Sequence, residues 1–276
     1  MVRGVMALQP FFLKAEKGQR FCIYHPAEAS GARGAVIYLH PFAEELNKSR
    51  RMAACQAREM AKLGFDVLQI DLLGCGDSSG DYADATWNAW QDDVLLAYRW
   101  LRARSEAPLT LWGLRSGCLL AASAAVNLPE KANFVFWQPV VSGKQYWQQF
   151  MRLKLVSEIT SGQSKSASEE IRKQLIAGTP VEIAGYTVAP ALVNDFEQSQ
   201  LNPAQYCNGR VAWLELSMRE GATLSPVFVR LAEQWQQSGY EVDLRLVRGP
   251  AFWQTSEIEE APELISSTIA LMESWG

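Results

Sequence analysis

Ser116 is the residue around which chemistry can be read first. Leu109-Thr110-Leu111-Trp112 is apolar and β-prone and runs into Gly113-Leu114-Arg115-Ser116-Gly117; a helix-compatible stretch leaves from Gly117. A hydroxyl at a sharp strand-to-helix turn stands above the sheet, and helix N–H groups point toward it, a geometry suited to stabilising an oxyanion. Counted strictly, the stretch matches Gly-x-x-Ser-Gly. With Ser116 taken as the nucleophile, Gly117 comes one position early and Cys118 stands where the second glycine is expected.

A serine hydroxyl needs a base. The chain holds two histidines, His25 and His40, and neither follows Ser116. His25 reads as a surface residue. His40 closes an apolar strand, Gly34–Leu39, and opens a loop that also carries Phe42, Glu44 and Glu45. His40, Glu44 and Glu45 are therefore the candidate bases, and the backbone N–H groups of Phe42 and Gly117 the candidate oxyanion donors. The two glutamates can instead pair with Lys48, Arg50 or Arg51 or face the start of the next helix. Arg115 can bind a substrate carboxylate or phosphate in two-pronged fashion or pair with one of those glutamates. Asp71 and Asp77 read as turn-forming residues.

The elements that must position these groups alternate. Val5–Lys14 and Arg20–Tyr24 read as a hairpin. Strands follow at Gly34–Leu39, Phe65–Ile70, Leu109–Trp112, Asn133–Trp137, Val211–Leu216 and Glu241–Val247. Helices are predicted at Asn47–Leu63, Trp87–Arg104, Gly117–Asn127, Pro226–Ser238 and Glu257–Trp275. This alternation predicts a mostly parallel sheet covered on both faces. It breaks at Ser142–Tyr206, where helices at Tyr146–Val156, Glu169–Ile176 and near Pro190 flank a polar stretch, Ser161–Ser168. The expected organisation is a core of residues 1–141 and 207–276 with residues 142–206 inserted as a cap.

A chain of 276 residues with 48% hydrophobic and 20% charged residues can bury one large core. The net charge of −4, with no long Lys/Arg block, excludes a nucleic-acid stripe. Five irregularly spaced cysteines describe neither a disulfide framework nor a zinc site, and no apolar run reaches spanning length. A cytoplasmic protein is expected, without a transmembrane segment, metal or cofactor. A nucleotide-binding reading fits poorly, because no ordered glycine fingerprint or P-loop is present.

With the turn in this setting, the chain resembles the α/β-hydrolases from its first hairpin to its last helix. Gly34–His40 is similar to the strand entering the family's oxyanion loop, and Asp71-Leu72-Leu73-Gly74-Cys75-Gly76-Asp77-Ser78 to its Asp-x-x-Gly-x-Gly-x-Ser segment. Val247–Trp253 resembles the segment bearing the catalytic histidine, which places Phe252 in the histidine position with Trp253 beside it. Glu220 falls where the family has its acid, and as a loop glutamate it reads equally as a solvated side chain. His40-Pro41-Phe42-Ala43-Glu44-Glu45-Leu46-Asn47-Lys48-Ser49-Arg50-Arg51 further resembles hydrolase-like proteins associated with the exosortase A system, which implies a bacterial source and a link to exopolysaccharide or protein-sorting machinery. The resemblance implies an α/β-hydrolase fold and a serine hydrolase acting on an ester, thioester or amide of a small-molecule, acyl or peptide substrate, with a degenerate triad. The alternative is a non-catalytic protein of the same fold that binds a ligand or partner.

Overall fold

The computed structural model describes residues 8–29, 31–159, 166–203 and 208–275, and the side chains of these except 153–159 and 166–168. The polar stretch from 161 to 165 and the cap boundary at Tyr206 lie outside the described residues.

An antiparallel hairpin, β1 (Gln9–Lys14) and β2 (Gln19–His25), forms one edge of an eight-stranded sheet. The sheet continues through β4 (Phe65–Ile70), β3 (Gly34–Leu39), β5 (Leu109–Leu114) and β6 (Ala132–Trp137) to β9 (Arg210–Ser217) and β10 (Glu241–Arg248). From β4 onward every pairing is parallel. Both β3 and β5 are buried along their whole length, as expected of strands covered on both faces.

The strand period of two sorts the side chains between two cores. Ala35, Ile37 and Leu39 of β3 face one core with Trp90 and Val94 of α2 (Trp87–Arg102) and Leu119 of α3 (Ser116–Ala125). Val36 and Tyr38 face the other, with Met52 and Met60 of α1 (Glu44–Lys62) and Leu264 and Met272 of α8 (Pro262–Met272). Thr86 caps α2, its Oγ1 accepting from Ala89 N at 3.0 Å. α7 (Pro226–Gln237), between β9 and β10 in the chain order, buries Trp235.

Two helices of the core start three or more residues from the sequence expectation. α1 begins at Glu44, because Ala43 turns the chain sharply at φ 50° and ψ −129°. α8 begins with Pro262 in its first turn, where the missing N–H costs nothing, and the preceding residues 257–261 are not helical.

Between β6 and β9 the chain forms α4 (Gly143–Ile159), α5 (Ser166–Ile176), a small hairpin of β7 (Val181–Ile183) and β8 (Tyr186–Val188), and α6 (Pro190–Gln198). The hairpin was not predicted as such. Its two-residue loop, Ala184-Gly185, has positive φ at both positions, 51° and 83°, which is the backbone sense that matches strand twist. The ends of the insertion are tied together: Gly143 N donates to Ser199 O at 3.0 Å, and Leu201 N to Val141 O at 3.1 Å.

Candidate active site

The strand β5 passes into α3 through Arg115, which adopts φ 54° and ψ −118°. This conformation is sparsely populated for a side-chain-bearing residue and costs about 1–3 kcal/mol. Gly113 and Gly117 flank it at equal distance, two residues to either side. A Cβ on Gly113 would lie 2.6 Å from Cys118 N, and one on Gly117 would lie 2.1 Å from Leu39 O. Both contacts are with backbone. Gly117→Ala is therefore expected to destabilise by about 1–3 kcal/mol or more, read as a lowered urea midpoint with an unchanged m-value; an unchanged midpoint would show that the β3–α3 approach is slack.

The strained residue at the apex is thus Arg115, and Ser116 is the first residue of α3. This differs from the expectation that the apex carries the serine. Ser116 is 5% exposed, and its Oγ accepts from Phe42 N at 2.8 Å. The Phe42 N–H expected to serve an oxyanion is bonded to the serine itself. The Tyr146 hydroxyl, from α4, interacts with both Ser116 and Glu45.

His40 is fixed elsewhere. Its Nδ1 lies 2.8 Å from Pro41 O, and its Nε2 accepts from Leu72 N at 3.2 Å. A neutral ring protonated on Nδ1 satisfies both bonds, and burial lowers its pKa in agreement. His25 is also buried and bonds Gln69 at 3.0 Å, so it is not a surface residue. Glu44 is exposed and accepts from the Tyr186 hydroxyl at 3.0 Å. Glu45 points inward, its Oε1 3.5 Å from Arg115 Nε. Burial raises the Glu45 pKa against the opposing pull of Arg115. Arg115 thus pairs with Glu45, in the first turn of α1.

From the segment after β10, Phe252 enters the core, its ring 6.3 Å from Trp137 and 5.1 Å from Trp253. Trp253, not Phe252, faces the apex: the guanidinium carbon of Arg115 lies 5.2 Å from its ring and 5.7 Å from that of Tyr146. Phe252 thus does not take a histidine's place beside the turn. Glu220 is exposed in the turn after β9, and no bond recorded among the described residues ties it to Ser116 or Arg115. Sequence reasoning missed Tyr146 and Gln254, the latter another neighbour of Glu45. The aromatic α4 sequence was the available signal for the former.

A cavity of about 330 Å³ opens beside the apex, lined by Phe42, Glu45, Lys48, Arg115, Phe150 and Trp253 among others. Among the described residues no group of three or more His, Cys, Asp or Glu side chains is placed to hold a metal ion. No helix there is long and apolar enough to cross a membrane.

A strained turn between two tight glycines, carried from the middle of a mostly parallel sheet into a helix, is the elbow of an α/β-hydrolase, and that is the class of this protein. Within it the chain belongs to the Hydrolase_4 (serine aminopeptidase, S33) family, whose model matches residues 30–201. It is 29% identical to human protein ABHD12B over 195 residues, 69% of this chain and 52% of that protein. It is 24% identical to the zebrafish (Danio rerio) lysophosphatidylserine lipase ABHD12 over 148 residues, 47% of this chain and 37% of that protein. The chain thus spans about half or less of the length of these curated relatives. Similar solved structures include Est1E from Butyrivibrio proteoclasticus with ferulic acid bound (TM-score 0.68, 12% identity, 96% of this chain and 98% of that one). Another is a carboxyl esterase from Bacillus coagulans (TM-score 0.66, 14% identity, 98% and 99%).

Proposed function

We propose that this α/β-hydrolase-family protein binds its ligand without forming an acyl-enzyme. The observation that carries this reading is Arg115 at the apex of the elbow. An attacking hydroxyl is needed there, and a guanidinium is neither a nucleophile nor a base at physiological pH. Two further features support it. The Phe42 N–H is bonded to the Ser116 hydroxyl, so an incoming oxyanion would have to displace it. Both His40 nitrogens are bonded to backbone, which makes His40 a brace between two loops. On this reading residues 142–206 act as a cap that closes the pocket. A partner in exopolysaccharide or protein-sorting machinery rests on the His40–Arg51 signature.

A second reading, hydrolysis of an ester, thioester or amide through Ser116, is favoured by the contact of Tyr146 with both Ser116 and Glu45. The phenol would pass the serine's proton toward the carboxylate. Burial drives the Tyr146 pKa well above its ordinary value, so the phenol stays protonated and relays poorly.

A fluorophosphonate probe followed by intact-mass measurement separates the two readings. The expected result is no adduct on the native protein and none on Ser116→Ala. A stoichiometric adduct lost in Ser116→Ala overturns the binding reading and installs the hydrolytic one.

A further inference from the structure

We infer that the cavity beside Arg115 takes a ligand with one anionic head and an apolar body, and that Glu45 occupies the head's position until such a ligand displaces it. The inference rests on the binding reading above and names its ligand class.

The ion pair is an incomplete one. The Arg115 and Glu45 side chains are 12% and 14% exposed, so both charges have left most of their water. Their facing atoms are 3.5 Å apart, beyond a good charge-assisted bond. Among the described residues Arg115 Nε and Glu45 Oε2 are buried without a hydrogen-bond partner. Another bond of the guanidinium, Nη1 to Gln138 O, is long at 3.4 Å. Desolvated donors left unsatisfied are costly, and a planar fork of N–H groups meets a carboxylate, sulfonate or phosphate two-pronged. The fork is held in orientation by Tyr146 and Trp253, whose rings flank it.

The rest of the cavity suits an apolar body. Phe42, Phe150 and Trp253 supply its apolar walls, Gln149 and Gln254 add polar groups, and the charge of Lys48 is offset by that of Glu44. At about 330 Å³ it is at the small end of ligand sites, enough for a short chain or one ring.

The arrangement makes binding pH-dependent. The groups facing Glu45 are Arg115 from the elbow, Tyr146 from α4 and Gln254 from the segment after β10, with Lys48 and Glu44 on its own helix lining the same cavity. Burial holds the Glu45 pKa above that of an ordinary glutamate. As pH falls through that raised pKa, Glu45 takes up a proton, releases Arg115 and ceases to repel an anion. Anion affinity therefore rises on acidification.

Hexanesulfonate, which stays ionised throughout, is the probe, titrated by calorimetry from about pH 8 to about pH 5, with 1-hexanol as its neutral counterpart. Expected are binding of hexanesulfonate in preference to hexanol and tighter binding at the acid end. Arg115→Met should weaken binding roughly 10- to 100-fold. Arg115→Lys, which keeps the charge and loses the fork, should fall between Met and wild type and stands in if the Met variant fails to fold. Glu45→Gln should bind roughly tenfold more tightly at the alkaline end and lose the pH slope. Hexanoate and hexyl phosphate in parallel decide whether a planar or a tetrahedral head is preferred. No binding, equal affinity for hexanol, or a Glu45→Gln variant with unchanged affinity and slope overturns the inference. A Ser116 adduct with fluorophosphonate, alongside Arg115-dependent anion binding, overturns only the binding-without-catalysis reading.

Discussion

Asp93→Ala is expected to cost about 3–5 kcal/mol of stability, measured as a lowered urea midpoint. Asp93 Oδ1 accepts from Arg20 Nε at 2.7 Å, and both side chains are 4% exposed. Removing the carboxylate leaves a buried guanidinium whose other bonds are to the backbone carbonyls of Lys17 and Gln19. Asp93 does more than neutralise Arg20. Its Oδ2 accepts from Leu73 N at 2.7 Å, while Trp90 Nε1 donates to Leu73 O at 3.1 Å. The neighbouring Leu72 N–H is the donor to His40. The pair therefore anchors the loop after β4 and, through His40, the loop that carries Phe42. Replacing both partners with apolar residues, Arg20→Met with Asp93→Leu, should recover much of the loss, because no uncompensated charge remains. A single variant as stable as wild type would show that water reaches Arg20 and that the pair contributes nothing.

The layered architecture was legible because it is written in local pattern. Gly34–Leu39 is the continuous apolar run that a strand buried on both faces requires, Phe65–Ile70 keeps that character apart from Asp66 and Gln69, and both strands have the bounds the pattern predicts. The break in rhythm after Val141 marked the insertion for the same reason. The elbow was legible as a place and misread in detail. Serine drew attention as the chemically capable residue, although the two glycines stand symmetrically about Arg115. Their spacing reports where the backbone is crowded, and it was the better guide to the apex. The segment after β10 has no regular period, so which of Phe252 and Trp253 faces the site was set by packing and could not be counted from the sequence. Tyr146 reaches Ser116 and Glu45 only because α4 is docked against the core, a tertiary event that local pattern does not encode. Glu220 shows the converse: its position along the chain left a family acid and a solvated loop glutamate both open, and the turn leaves it in solvent.

Phe42→Ala should destabilise the protein by about 3–5 kcal/mol, and the loss should fall unevenly. Phe42 is 3% exposed and sits where the core meets the insertion. Its ring stacks on Phe196 of α6 at 5.3 Å and meets Phe150 of α4 edge-on at 5.1 Å. Tyr146 and Trp147 of α4 lie at 6.0 and 6.5 Å. On the core side it meets Tyr82 at 5.4 Å and Trp90 at 6.1 Å. One side chain thus joins two helices of the insertion to the loop and helix beneath them, while β5, β6 and β9 keep their own contacts. Hydrogen exchange should report early loss of protection in α4 and α6 and near-native protection in the central strands. The backbone N–H of residue 42 survives the substitution, so its bond to Ser116 tests whether the elbow depends on the insertion. If the insertion merely covers the site, the elbow region stays protected when α4 and α6 open. Uniform loss across sheet and insertion would instead mean that the two fold as one cooperative unit, with the pocket opened only by global unfolding.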